Sequence, residues 1–150
     1  MKKILYYIAV SVLFVLNKLP FCVLYLISDF IYFLVYYLVR YRRRIVRDNL
    51  VKSFPEKSIK EIKKIEKKFY SSLCDYFVET IKFYGMSEKQ IRKRMVFNGV
   101  EEAQKVLDQG RSCVFYMGHF FNWEYVTSLS LYFNLDDVVV GDIYHPLENR

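Results

Sequence analysis

Ser112-Cys113-Val114-Phe115-Tyr116-Met117-Gly118-His119-Phe120-Phe121-Asn122-Trp123-Glu124 joins a continuous apolar run to a short turn and then to the start of a helical pattern. An apolar run of this length, closed by glycine, reads as a strand covered on both faces, as parallel strands usually are. Helical periodicity follows from Asn122 to Phe133, and Asp137-Val138-Val139-Val140 opens a second β-branched run. Strand, helix and strand in that order predict an α/β domain in which helices flank a short sheet.

Upstream of this stretch the pattern is mainly helical. Ser58-Ile59-Lys60-Glu61 has the S-x-x-E form of a capping box, and Ile59, Ile62, Ile65 or Glu66, Phe69, Leu73, Phe77 and Ile81 follow at helical spacing. Gly85 is placed to end that long helix, and Ser87-Glu88-Lys89-Gln90 offers a second capping box for a short basic one. Met95-Val96-Phe97 is a brief strand candidate. Asn98-Gly99 marks a turn, Val100 to Asp108 reads as a helix, and Gly110 supplies its stop.

The N-terminus has a different character. Ile4 to Leu16 is an apolar run broken by Asn17-Lys18-Leu19-Pro20, and a second run extends from Phe21 to Val39 with Asp29 inside it. As helices the two rise about 20 Å and about 28 Å, against a hydrocarbon core of about 30 Å, so only the second has the length of a span. Lys2 and Lys3 suggest a signal peptide, but no Ala-x-Ala-like cleavage site follows and hydrophobicity resumes, which favours a retained anchor. Arg40, Arg42, Arg43 and Arg44 follow directly, and cations flanking a span usually stay on the cytoplasmic side. With lysines at its start as well, the segment reads either as one membrane helix or as a helical hairpin.

The net charge of +7 selects no partner alone. From Arg40 to Lys68 there are twelve Lys or Arg against four Asp or Glu, beginning where the apolar segment ends, and this location favours anionic lipid headgroups. Nucleic acid is disfavoured, because no zinc spacing, RNP-like aromatic motif or Gly-rich RNA loop accompanies the charge. Cys22, Cys74 and Cys113 are odd in number and widely spaced, which argues against a disulfide framework or a thiolate metal site and for buried small side chains. No metal cluster and no cofactor motif is present in the sequence.

The chemistry points to the opening stretch. His119 lies at the carboxyl end of the expected strand and Glu124 in the first turn of the next helix, where α/β folds place their sites. A carboxylate folding back onto the imidazole fixes its tautomer and stabilises the imidazolium. A neutral His119 then deprotonates a hydroxyl attacking an ester or thioester carbonyl, with helix-start amides near the oxyanion. In the plainer reading His119 caps the helix and Glu124 faces its N-terminal dipole. Cys113 has no activating base nearby in sequence, and His145 beside Pro146 reads as structural or solvated.

Four ordered blocks carry a family likeness. Arg47-Asp48-Asn49-Leu50, Ser53-Phe54-Pro55-Glu56, Gly118-His119 with Asn122-Trp123-Glu124, and Ile143-Tyr144-His145-Pro146-Leu147-Glu148-Asn149 together resemble the lipid A lauroyl/myristoyl acyltransferases, of the lysophospholipid acyltransferase superfamily. The resemblance implies His119 as general base and Glu124 as its orienting carboxylate, with Asn122 and Trp123 as supporting substrate-side positions. It also implies acyl carrier protein as the acyl donor, a lipid A precursor as acceptor, and residence at the cytoplasmic face of the inner membrane. Phe121 stands where that family commonly has Gly. On this likeness residues 1–44 are a membrane anchor with a basic flank, and residues 45–150 are the N-terminal part of an incomplete acyltransferase domain. Two other outcomes are kept: acylation of a different membrane lipid, and an inactive membrane-bound fragment.

Overall fold

The N-terminal apolar segment folds as two helices that meet at Pro20. α1 spans Lys2–Lys18 and α2 spans Phe21–Phe33, with Pro20 in an extended conformation as the N-cap of α2. Proline has no N–H to lose there and its fixed φ starts the next helix, so the break costs little. The computed structural model describes residues 2–136 and 138–141.

Beyond α2 the helix continues as a π-helical turn over Leu34–Val39, giving one stretch, Phe21–Val39, long and apolar enough to cross a membrane. It ends abruptly. Arg40 and Arg42 both take left-handed conformations, φ 55° and 49°, which turn the chain back so that α3 (Arg43–Ser53) lies against α4 (Ile59–Phe83). The Ser58 capping box forms as expected, with the Ser58 N–H donating to Glu61 Oε2 at 2.8 Å. Ser87 and Gln90 form the second box, which starts α5 (Glu88–Arg94). α6 covers Val100–Asp108, entered and left through Gly99 and Gly110 at positive φ.

Three side-chain hydrogen bonds fix the register of α2 and its π turn against α4: Tyr25 to Glu79, Ser28 to Asp75, and Tyr36 to Glu66. Residue numbers rise on one side as they fall on the other, so the helices are antiparallel. Leu24, Tyr36, Ile62, Tyr70, Cys74 and Val78 form the core between them. The buried stripe of α4 is thus Ile62, Glu66, Tyr70, Cys74 and Val78, whereas Phe69 and Phe77, expected inside, are exposed. Gly85 lies just past the helix as expected, but at no positive φ. A Cβ there would fall 1.8 Å from Asn17 Oδ1, in the space where the Asn17 amide reaches the carbonyl of Ile81 at 2.8 Å.

The expected sheet does not form: among the described residues there is no strand. Residues 111–120 have no regular structure and pair with no strand, with Val114 71% and Tyr116 95% exposed. A strand persists only when a neighbour takes up its N–H and C=O groups and a layer covers its apolar faces. No strand ladder is present beside Cys113–Met117, Met95–Phe97 or Val138–Val140 among the described residues, and Phe115 and Phe97 pack only locally, on Phe133 and Tyr132. The helix expected over 122–133 is a 3-10 helix over Trp123–Tyr132. The cysteines split: Cys74 is buried, Cys113 half-buried and Cys22 exposed, so burial describes only the first.

Candidate active site

His119 sits on an exposed turn between the irregular segment that starts at residue 111 and the 3-10 helix. The Phe120 N–H donates to the Gly118 carbonyl at 2.9 Å, closing a tight three-residue turn centred on His119. Phe121 follows at φ 51°, a left-handed conformation in which a side chain is strained and glycine is not. The His119 side chain is exposed at this turn. Its ring packs edge-on to Trp123, with centroids 4.6 Å apart.

Asn122 and Glu124 point the other way, toward α4. Asn122 makes no side-chain cap to the following helix. Its Nδ2 donates to Glu79 Oε2 at 2.8 Å, while its Oδ1 is buried without a hydrogen-bond partner among the described residues. Glu124 Oε1 accepts from the Tyr76 hydroxyl at 3.1 Å. Burial, and then the bond to Glu124, push the Tyr76 phenol above its ordinary value, so it stays protonated and acts as a donor. Tyr125, next in the chain, is buried, and desolvation pushes its phenol up to about 12.

The turn thus gathers His119 with Trp123, and Glu124 with Tyr76, but no hydrogen bond or ion pair joins His119 to Glu124. Hydrogen bonds of catalytic groups often close only in the substrate complex. His119 and Trp123 line an open cleft of about 1290 Å³ whose walls mix Val114, Phe115, Met117 and Val126 with Asp108 and Arg111. An imidazole beside an apolar wall suits a reaction at the head of a hydrocarbon chain. Among the described residues no three His, Cys, Asp or Glu side chains converge to hold a metal. His145 and the rest of the block at 143–149 lie outside the described residues.

Sequence reasoning passed over Tyr76 and Glu79. Their signal was present: two polar groups three residues apart, on a helix whose neighbouring turns bury Cys74 and Val78. Without knowing which chain segment would meet that face, they read as solvated positions.

A family model described as bacterial lipid A biosynthesis acyltransferase matches residues 1–134, corresponding to the N-terminal half of that family. Comparison with curated proteins and with solved structures returned no match.

Proposed function

The chain belongs to the bacterial lipid A biosynthesis acyltransferase family, and from that premise we propose that it transfers a fatty acyl chain from acyl carrier protein to a hydroxyl of a lipid A precursor. The observation that carries the reading is His119, held on an exposed turn and lining an open cleft of mixed polar and apolar walls in a chain of this family. The acyl chain lies in the cleft with its thioester carbonyl near the imidazole. His119 takes the proton of the acceptor hydroxyl as its oxygen bonds to that carbonyl carbon. The tetrahedral intermediate then expels the carrier thiolate, which recovers the proton from the imidazolium. Glu124, five residues on, orients the ring and offsets its positive charge once the substrate has closed the turn. Trp123 packs edge-on against the ring and limits its rotation.

The anchor brings this turn to the lipid surface. In the antiparallel register Asp75 and Glu79 lie against α2 and the lysine-bearing start of α4, Lys60 to Lys68, lies toward the π turn, so Phe21–Val39 cannot enter the hydrocarbon alone without bringing charged residues of α4 with it. We therefore place α1 and α2 as a helix pair in the interface of the inner membrane, apolar faces down. Leu5, Tyr6, Phe14, Leu26, Phe30 and Leu38 are exposed and available for that contact. Arg40, Arg42 and Arg44, all exposed, meet anionic headgroups at the cytoplasmic face.

Mass spectrometry of the lipids of a strain lacking the gene tests the acceptor. Lipid A short of one acyl chain beside normal phospholipids, restored by the wild-type gene, is the expected result. Intact lipid A with altered phospholipids or glycolipids would contradict it.

A further inference from the structure

We propose that Tyr76 and Glu79, one turn apart on α4, are positioning residues that hold the catalytic turn by Glu124 and Asn122. The proposal rests on the reading of His119 and Glu124 as the reacting pair. Residues 111–122 have no regular structure, and the turn around His119 is exposed and strained at Phe121, so it has little packing of its own to fix it. Two contacts on its far side do so. Tyr76 donates to Glu124 Oε1 at 3.1 Å, and Asn122 donates to Glu79 Oε2 at 2.8 Å. The residues gripped lie three and five positions after His119, so the grip sets both the backbone that follows the imidazole and the carboxylate meant to face it.

Glu79 is itself held from the other side. Its Oε1 accepts from the Tyr25 hydroxyl at 2.6 Å, and Arg94 Nη1 donates to the same hydroxyl at 3.2 Å. A continuous chain of hydrogen bonds therefore runs from α5 through α2 and α4 to the turn. Tyr76 occupies one carboxylate oxygen of Glu124, and Oε2, without a protein partner among the described residues, stays open to the imidazole once the substrate closes the turn. A carboxylate fixed on one oxygen keeps its second in a defined direction, whereas an unheld one rotates away from the ring.

Kinetics of acyl transfer in membranes carrying the whole protein test this. Tyr76→Phe removes only the hydroxyl, and Glu79→Gln removes the charge and replaces one acceptor by a donor that faces Tyr25 or Asn122. Each is expected to lower kcat about tenfold to a hundredfold, the scale of a lost hydrogen bond to a charged group. The KM for acyl carrier protein substrate and the thermal unfolding midpoint stay as in the wild type. Combined with Glu124→Gln, Tyr76→Phe adds no further loss, because both act through one carboxylate. If Glu124→Gln abolishes turnover while Tyr76→Phe and Glu79→Gln keep full kcat, the positioning role is overturned and the catalytic reading stands. A loss of kcat that only tracks a lowered unfolding midpoint also overturns it. Full turnover in Glu124→Gln would instead remove the catalytic reading, and this proposal with it.

Discussion

Glu66 and Glu124 are two carboxylates that each accept a tyrosine hydroxyl at an edge of α4, yet they are used in opposite ways. Glu66 is completely buried. Arg47 clasps it with two bonds, 2.7 Å to Oε2 and 2.9 Å to Oε1, and Tyr36 and Arg43 reach Oε1 at 3.0 and 3.3 Å. Both of its oxygens are taken up by the fold. Glu124 is half-buried, has Tyr76 on Oε1, and has no protein partner on Oε2 among the described residues. The first ties α3 and the π turn to α4. The second is held at one end and open at the other, which is what an orienting carboxylate requires.

The largest expected effect breaks the Glu66 side. With Arg43→Ala and Arg47→Ala combined, Glu66 is left buried with only Tyr36, and unfolding in detergent should show a loss of about 3–5 kcal/mol. Tyr76→Phe, at the other carboxylate, should leave stability in the same assay as in the wild type, because Glu124 is only half-buried and water can take the place of the lost hydroxyl. Equal losses would dissolve the contrast between the two.

An acid titration sharpens the same comparison. Burial pushes Glu66 upward, but the bonds from Arg47 and Tyr36 and the Arg47 charge outweigh it, so its carboxyl sits below the ordinary 4.5. The unfolded chain therefore binds this proton first as pH falls. The contribution to stability is whole above about pH 4.5 and is lost as pH drops through the lower folded value. Glu66→Gln should flatten that acid limb, and an unchanged limb would show that Glu66 is not held as the geometry implies.

The smallest expected effect is at the turn. Phe121→Gly frees a left-handed position of its side-chain strain, offset in part by added freedom of the unfolded chain, for a net gain of up to about 1 kcal/mol. A measurable destabilisation would mean that the Phe121 side chain contributes packing that its 59% exposure does not suggest.

The helical half was legible where local chemistry decides. Ser58 with Glu61 and Ser87 with Gln90 announce helix starts, Val100–Asp108 has the bounds its periodicity predicts, and the run Phe21–Val39 is continuous. Legibility failed where partners decide. Cys113–Met117 has strand composition, but composition supplies neither the neighbouring strand nor the covering layer. Phe69 and Phe77 look like core by type and are exposed, while Glu66 is buried because Arg43, Arg47 and Tyr36 converge on it from other helices. At the candidate site His119 and Glu124 were readable as a spacing. Tyr76 and Glu79 were not, because nothing local says that residues nearly fifty positions apart will meet.

The central claim is that His119 is the base. Acyl transfer from acyl carrier protein to a lipid A precursor, measured for wild type and His119→Ala at matched protein in membranes, tests it most directly. The predicted result is a fall of about 10²- to 10⁴-fold in turnover, with helical content and membrane association unchanged. Turnover retained within a few-fold of wild type would contradict the account.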